Sequence, residues 1–225
     1  RRYRCVTLDW RGQGDTPATP SGYDMDTLAG DAVALIEKLG LAPVHFVGLS
    51  MGGFVGQRLA ARRGELLRSL SLLDTSADEE DPAEARRYRL LASVYRLVGI
   101  TPVRRKVLPL MFGAAFLSSP ASEPVIAEWT RRLRRCDRAG IRKAVLGVAD
   151  RAPVREELRH IALPTLVVVG AADIATPPAR AERIAAGIDG ARLEVVPDAG
   201  HTSTLERPVI ISSLLEDFLA SVDER

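Results

Sequence analysis

Apolar residues follow one another along the chain in two spacings, one typical of buried strands and one typical of amphipathic helices. Continuous apolar runs rich in β-branched residues predict strands. The clearest is LPTLVVVGAAD at 163–173, and a shorter run, Arg4–Asp9, precedes a loop rich in glycine and proline. The other predicted strands lie at 44–47, 66–73 and 191–197.

Helical spacing appears between these runs. Asp26–Leu39 places Leu28, Val33 and Ile36 close to one face of a helix, and Gly40 ends the segment. The remaining predicted helices are Phe54–Arg63, Pro82–Val98, Glu123–Cys136, Gly140–Ala149, Pro178–Ala186 and Pro208–Ser221.

The order of these elements predicts an α/β fold. Strands that alternate with helices at this spacing form a mostly parallel sheet with helices on both faces. The alternation stops between residues 76 and 160, where only helical patterns occur. We therefore expect an α/β core formed by residues 1–75 and 161–225, with residues 76–160 inserted as a helical cap.

Composition and charge exclude several classes of protein. The 225 residues are 46% hydrophobic, which suits one globular domain with a core. The 31 basic and 29 acidic residues leave a formal charge of only +2, so neither a nucleic acid nor a membrane is expected as a partner. No apolar run approaches the roughly 20 residues of a membrane helix, and the N-terminus lacks a signal peptide. We expect a soluble, cytoplasmic protein.

The two cysteines, Cys5 and Cys136, lie far apart and lack CxxC spacing. They predict neither a disulfide framework nor a zinc site, and a reducing compartment is the default. No metal or cofactor is expected from the sequence.

The segment VHFVGLSMGGF carries the strongest chemical signal. Ser50 follows a predicted strand and precedes a predicted helix, as a GxSxG nucleophile elbow requires. Such a turn holds its serine in a strained conformation, and a side chain at Gly48 or Gly52 is expected to collide with neighbouring backbone. The N–H of Met51, at the helix start, would point at a developing oxyanion.

A serine hydroxyl needs a base within hydrogen-bond distance to act as a nucleophile at neutral pH. The chain has three histidines. His45 lies within a predicted strand, where a packed histidine is expected, and His160 ends a helical segment. His201 follows the last predicted strand, in the region where the functional groups of open α/β sheets gather, and is therefore the predicted base.

The base needs an orienting carboxylate. Asp173 stands at the end of a predicted strand, so Ser50, Asp173 and His201 follow one another in the order of α/β hydrolases. Asp74 also ends a strand and is a rival acid, with a turn or cap role as its alternative. Asp9 is expected to hold a structural loop.

These motifs resemble those of the α/β-hydrolase superfamily over nearly the whole chain. GLSMGG resembles the nucleophile elbow, LDWRGQGDT the D-x-R-G-x-G-x-S loop with Thr16 in place of serine, GAADIATPP the acid loop, and AGHTSTLERP the histidine segment. GLSMGGFVGQRLAARR and AGHTSTLERP are most similar to 3-oxoadipate enol-lactonase-like esterases. The resemblance implies an α/β-hydrolase fold with a helical cap.

The resemblance also implies a strand that precedes Arg4–Asp9 in sequence and lies between it and Val44–Val47 in the sheet. The same N-terminal region would supply a second oxyanion donor besides Met51. The printed sequence begins with RRYRCV instead of methionine, and about a fifth of the usual domain is expected to be missing. Loss of one oxyanion donor costs about 100- to 1,000-fold in turnover.

The expected activity is hydrolysis of a small ester or lactone, with Ser50 as nucleophile, His201 as base and Asp173 as orienting acid. A cofactor-free perhydrolase and a carbon–carbon hydrolase would use the same triad, although carbon–carbon hydrolases usually have tryptophan soon after the histidine. A non-catalytic ligand-binding member of the superfamily is the alternative from another class. A homodimer is compatible with all of these.

The arginines of the cap are expected to form a solvated face.

Overall fold

A parallel sheet forms the centre of the computed structural model, which describes residues 2–224. Within that range the sheet has four strands in the order β1-β2-β3-β4, and all neighbours are parallel. The strands are β1 (Val44–Leu49), β2 (Leu67–Leu73), β3 (Thr165–Gly170) and β4 (Arg192–Val196). Because the strands are parallel, their carboxyl ends lie at the same edge of the sheet. Leu49, Leu73 and Gly170 are the last residues of β1, β2 and β3 at this edge. The predicted fold class is confirmed.

Helices connect the strands. The described helices are α1 (Met25–Lys38), α2 (Met51–Arg62), α3 (Pro82–Val98), α4 (Ile100–Met111), α5 (Ala114–Ser118), α6 (Ser122–Arg135), α7 (Arg138–Ala149), α8 (Pro178–Gly187), α9 (Ser203–Glu206) and α10 (Pro208–Asp223), with 3₁₀ helices at Gly64–Leu66 and Arg155–His160.

The helices cover the two faces of the sheet unequally. One face packs against α1, α2 and α8 through the larger apolar core, which includes Leu28, Phe54 and Ile184. The other face packs against α10, where Ile211 and Phe218 contact a smaller core. The strand β3 (TLVVVG) is buried along its whole length, which explains its continuous apolar run.

Helices α3–α7 follow one another between β2 and β3, and we call residues 82–149 the helical insertion. The helix α3 has the predicted bounds, because Asp81 caps its N-terminus and Gly99, at φ 77°, ends it. The helices α4 and α5 were not predicted, since α4 begins directly after Gly99 and contains Pro109 near its end.

The prediction of a strand at Arg4–Asp9 is wrong. The segment is irregular and lies across a groove of about 690 Å³ from β1. Strands in one sheet lie about 4.8 Å apart and share a ladder of hydrogen bonds, so a groove of this size prevents pairing. The composition of the segment suits a strand, but no described strand is close enough to be its partner.

None of the helices between residues 2 and 224 is long and apolar enough to cross a lipid bilayer.

Candidate active site

Ser50 stands alone between β1 and α2, in a backbone conformation that serine rarely adopts. Its φ is 50° and its ψ is −110°. Four hydrogen bonds hold the turn. Ser50 N donates to Leu73 O at 2.9 Å, and Ser50 O accepts from Gly53 N and the Thr75 hydroxyl, each at 2.9 Å, and from Phe54 N at 3.1 Å. This strained geometry raises the hydroxyl above the carboxyl edge of the sheet.

The glycines of the elbow have different roles. A Cβ at Gly48 would lie 2.3 Å from Gly52 O, so this position requires glycine, as predicted. The same prediction for Gly52 is wrong, because a Cβ there would meet open space. Gly53 is the second constrained position, since its Cβ would lie 2.6 Å from the Thr75 side chain. The turn therefore packs against the residues after β2, a contact that the local sequence does not reveal.

The three predicted side chains lie together. His201 Nε2 is 2.8 Å from Ser50 Oγ, and His201 Nδ1 is 2.9 Å from Asp173 Oδ2. His201 is in the loop after β4, and Asp173 is in the loop after β3, so the sheet's carboxyl edge brings the groups into contact from three separate segments.

Asp173 is held by hydrogen bonds from two residues that follow it closely in the chain. Its Oδ1 accepts hydrogen bonds from Ala175 N at 2.8 Å and Thr176 N at 2.9 Å. The Thr176 hydroxyl donates to Asp173 Oδ2 at 2.7 Å and lies 3.3 Å from His201 Nδ1. Sequence reasoning did not single out Thr176, although an aspartate that accepts from the backbone two and three residues later is a known turn pattern.

The imidazole of His201 is buried among carboxylates. Burial alone lowers the pKa of His201, but hydrogen bonding and charge from Asp173, with weaker charge effects from Asp74 and Glu206, raise it above its ordinary value. The site therefore favours the imidazolium form that arises when the histidine accepts a proton.

Asp74, the rival acid, lies at the end of β2 and forms its hydrogen bonds with residues other than His201. It accepts hydrogen bonds from Gly170 N at 2.9 Å, from Ser203 N at 3.3 Å and from the Ser203 hydroxyl. Burial raises the pKa of Asp74 to about 7. The carboxylate in hydrogen-bond contact with His201 is that of Asp173.

Met51 is the first residue of α2. Its backbone N–H belongs to the first turn, whose donors have no acceptor within the helix, and it follows the candidate nucleophile directly. The amide of Gln13 lies 4.0 Å from Met51 Sδ, so the loop after Arg4–Asp9 reaches the same end of α2.

The other candidates have structural roles. The imidazole of His45 bonds Ser69 Oγ at 2.7 Å and Asp223 Oδ1 at 3.1 Å, and exposed His160 ends a 3₁₀ helix; both were predicted as non-catalytic. Asp9 accepts from Asp15 N within its loop. Among residues 2–224 no group of three or more His, Cys, Asp or Glu side chains is arranged to hold a metal ion.

The arginines of the helical insertion form an exposed surface. Arg131 and Arg132 pair with Glu128 on the same helix. The arginines considered from sequence, all exposed, are Arg86, Arg87, Arg131, Arg132, Arg134 and Arg135. Phe112 is buried between Phe116 and Trp129 inside the insertion.

A comparison with known families identifies the class of protein. The family described as alpha/beta hydrolase fold matches residues 1–208. The chain therefore belongs to the alpha/beta hydrolase family.

Three known proteins are similar to the chain over nearly its whole length. A Mycobacterium tuberculosis H37Rv protein named "Putative non-heme bromoperoxidase BpoC" is 32% identical over 98% of this chain and 84% of its own length. The 3-oxoadipate enol-lactonase 2 of Acinetobacter baylyi is 28% identical over 96% of this chain and 78% of its own. A thermophilic esterase from Thermogutta terrifontis, of known structure, is 29% identical, with a TM-score of 0.85 over 94% of this chain and 78% of its own.

Proposed function

We propose that this chain is a serine hydrolase that cleaves a carboxylic ester or lactone through an acyl-enzyme intermediate. One observation carries the proposal: the imidazole of His201 contacts Ser50 Oγ through one nitrogen and Asp173 through the other. A hydroxyl, a base and an orienting carboxylate in this order are the groups that nucleophilic acyl transfer requires.

In the first half-reaction, Ser50 Oγ attacks the carbonyl carbon and passes its proton to His201 Nε2. The C–O bond to the leaving alcohol breaks, and the alcohol oxygen takes that proton from the imidazolium. Asp173 accepts a hydrogen bond from Nδ1 throughout, which orients the ring and stabilises its charge. The N–H of Met51, the first residue of α2, would donate to the developing oxyanion.

In the second half-reaction, His201 takes a proton from water, and the resulting hydroxide attacks the acyl carbon. The bond to Ser50 Oγ breaks, Ser50 recovers its proton from His201, and a carboxylic acid leaves. With a lactone, the alcohol and the acid are parts of one product. The enol-lactonase and esterase relatives support an ester or lactone as the substrate class.

The test is hydrolysis of p-nitrophenyl acetate and butyrate by the protein and by Ser50→Ala. We expect the variant's kcat to fall by more than about 10⁴-fold, because the nucleophile is removed. Ser213→Ala, at an exposed serine of α10, is the matched control and should keep full activity. A fluorophosphonate probe should label the protein at Ser50. Ligand-dependent stabilisation without labelling or turnover would instead indicate a binding protein.

A perhydrolase is the second candidate, favoured by the bromoperoxidase relative. Here hydrogen peroxide instead of water attacks the acyl-enzyme, and the product is a peracid, which oxidises bromide. The test is bromination of an acceptor in acetate, peroxide and bromide. A Ser50-dependent bromination rate that exceeds the rate of ester hydrolysis, with the same acyl group at the same concentration, would favour this activity. If no such bromination occurs, the esterase or lactonase remains the proposed function.

A further inference from the structure

Glu206 is a buried carboxylate that the reaction described above does not use. It ends α9, five residues after His201, and only 5% of its surface is exposed. A buried carboxylate is costly unless several donors satisfy its oxygens. The donors around Glu206 are three backbone N–H groups and one hydroxyl.

Three of these donors belong to the residues on either side of His201. Gly200 N donates to Glu206 Oε2 at 2.9 Å. Thr202 donates to Glu206 Oε1 from its backbone N at 3.3 Å and from its hydroxyl at 3.2 Å. The carboxylate therefore holds the backbone immediately before and immediately after the imidazole.

The other donor comes from the helical insertion. Gly113 N donates to Glu206 Oε2 at 2.9 Å, so one oxygen bonds both the insertion and the histidine loop. Thr202 shares its N–H and its hydroxyl proton between Glu206 Oε1 and Met111 O, and Met111 O is the nearer acceptor, at 2.9 Å from the N and 2.8 Å from the hydroxyl. The two segments cross closely, since a Cβ at Gly200 would lie only 2.2 Å from Gly113 N.

We propose that Glu206 is a positioning residue that holds His201 between Ser50 and Asp173 and anchors the histidine loop to the helical insertion through Gly113. The role of Glu206 in turnover rests on the function proposed above. A displacement of about 1 Å in a reacting group can cost about 100-fold in rate, so a residue that fixes both neighbours of the base affects the chemical step.

The first test is Glu206→Gln. Glutamine has nearly the same shape, but its NH₂ group would face donors that now bond a carboxylate oxygen. We expect kcat for p-nitrophenyl butyrate to fall about 10- to 100-fold, with KM changed by less than about threefold, because the shift displaces the base of the chemical step. Glu216→Gln, at an exposed position of α10, makes the same chemical change and should leave both constants unchanged.

A second readout separates positioning from a general loss of structure. The carboxylates that act on His201 are Asp173 from the loop after β3, Asp74 from the end of β2, and Glu206 from α9. Removal of the Glu206 charge lowers the pKa of His201, so the acid limb of kcat/KM should move to lower pH. The imidazole proton resonance of His201, one of three histidines, should titrate at the same lower pH by NMR.

Glu206→Asp keeps the charge and shortens the side chain. We expect its His201 titration to stay near that of the wild type while kcat falls, since the hydrogen bonds lengthen. If Glu206→Gln does not fold, this variant decides: a lower kcat at unchanged KM supports the proposal, and an unchanged kcat overturns it.

The proposal is also overturned if folded Glu206→Gln keeps both the wild-type kcat and the wild-type His201 titration. Failure of the proposed function gives a different result, namely no Ser50-dependent turnover and no fluorophosphonate labelling by the wild type. In that case the His201 titration of wild type and Glu206→Gln, measured without substrate, still tests the positioning.

Discussion

Two carboxylates, Asp173 and Asp74, follow neighbouring strands, and both raise the pKa of His201. Their contacts separate their roles. Asp173 bonds Nδ1 of the imidazole, whereas Asp74 bonds Gly170 and Ser203. The same substitution, aspartate to asparagine, is therefore expected to have different effects at the two positions.

We expect Asp173→Asn to lower kcat by about 10⁴-fold, because an amide in place of the carboxylate favours the wrong tautomer of His201. Asp74→Asn should cause a far smaller loss, since the contact between Asp173 and His201 is kept. Steady-state kinetics of both variants, with circular dichroism to establish folding, tests this. A larger loss at Asp74 would transfer the role of orienting acid to that residue.

At the scale of elements, the two chain segments that join the helical insertion to the sheet are linked by buried charge. Glu80, whose side chain is 3% exposed, bonds Arg151 Nη1 at 3.0 Å and Arg180 Nη2 at 2.9 Å. Arg151 also donates to Asp78 O at 2.9 Å. Its guanidinium carbon lies 4.2 Å from the ring centroid of Phe54 on α2. We call Asp78, Glu80, Arg151 and Arg180 the hinge network.

Removal of the central charge should loosen this connection. Glu80→Gln leaves buried Arg151 and half-buried Arg180 without their carboxylate. Breaking a buried ion pair in this way typically costs about 3–5 kcal/mol in the free energy of unfolding. Urea unfolding measures this loss, and faster trypsin cleavage within the helical insertion should accompany it. The matched control is Glu128→Gln, which breaks an exposed arginine pair and should change little. Equal stability of the two variants would contradict the role of the hinge network.

Elements with a strong local pattern were predictable from sequence. The helix α3 and the buried strand β3 were found because capping and apolar runs are local signals. The strand predicted at Arg4–Asp9 was wrong because strand formation requires a partner, and pairing is a property of the tertiary structure.

The candidate site, like the fold, was predictable from sequence where its signals are local. Ser50, Asp173 and His201 follow from motif order, but the hydrogen bonds of Glu206 and Asp74 join residues separated by up to 129 positions. Nothing in the spacing of single residues predicts such bonds. Thr176 is close to Asp173 in sequence, so the hydrogen bond from its hydroxyl to Asp173 is a contact that a turn pattern would have revealed.

At the scale of the whole molecule, the buried charges near His201 make stability depend on pH. Burial raises the pKa of Asp74 from its usual 3.8 to about 7, against the opposing effect of its hydrogen bonds from Ser203 and Gly170. Between those two pH values the folded protein holds a proton on Asp74 that the unfolded chain has released. The stabilisation from this group is therefore present at low pH and is lost as pH rises through about 7.

Asp74→Asn tests this dependence, because it removes the titrating group and keeps the shape of the side chain. Relative to the wild type, the variant should gain on the order of 2 kcal/mol in the free energy of unfolding between pH 5 and pH 8, since it has no carboxyl group to ionise in the core. Urea unfolding of both proteins at the two pH values measures the difference, and effects of groups unchanged by the substitution largely cancel. Asp217→Asn, at an exposed position of α10, should show no such gain. A difference between wild type and Asp74→Asn that is the same at both pH values would mean that Asp74 is already ionised at pH 5.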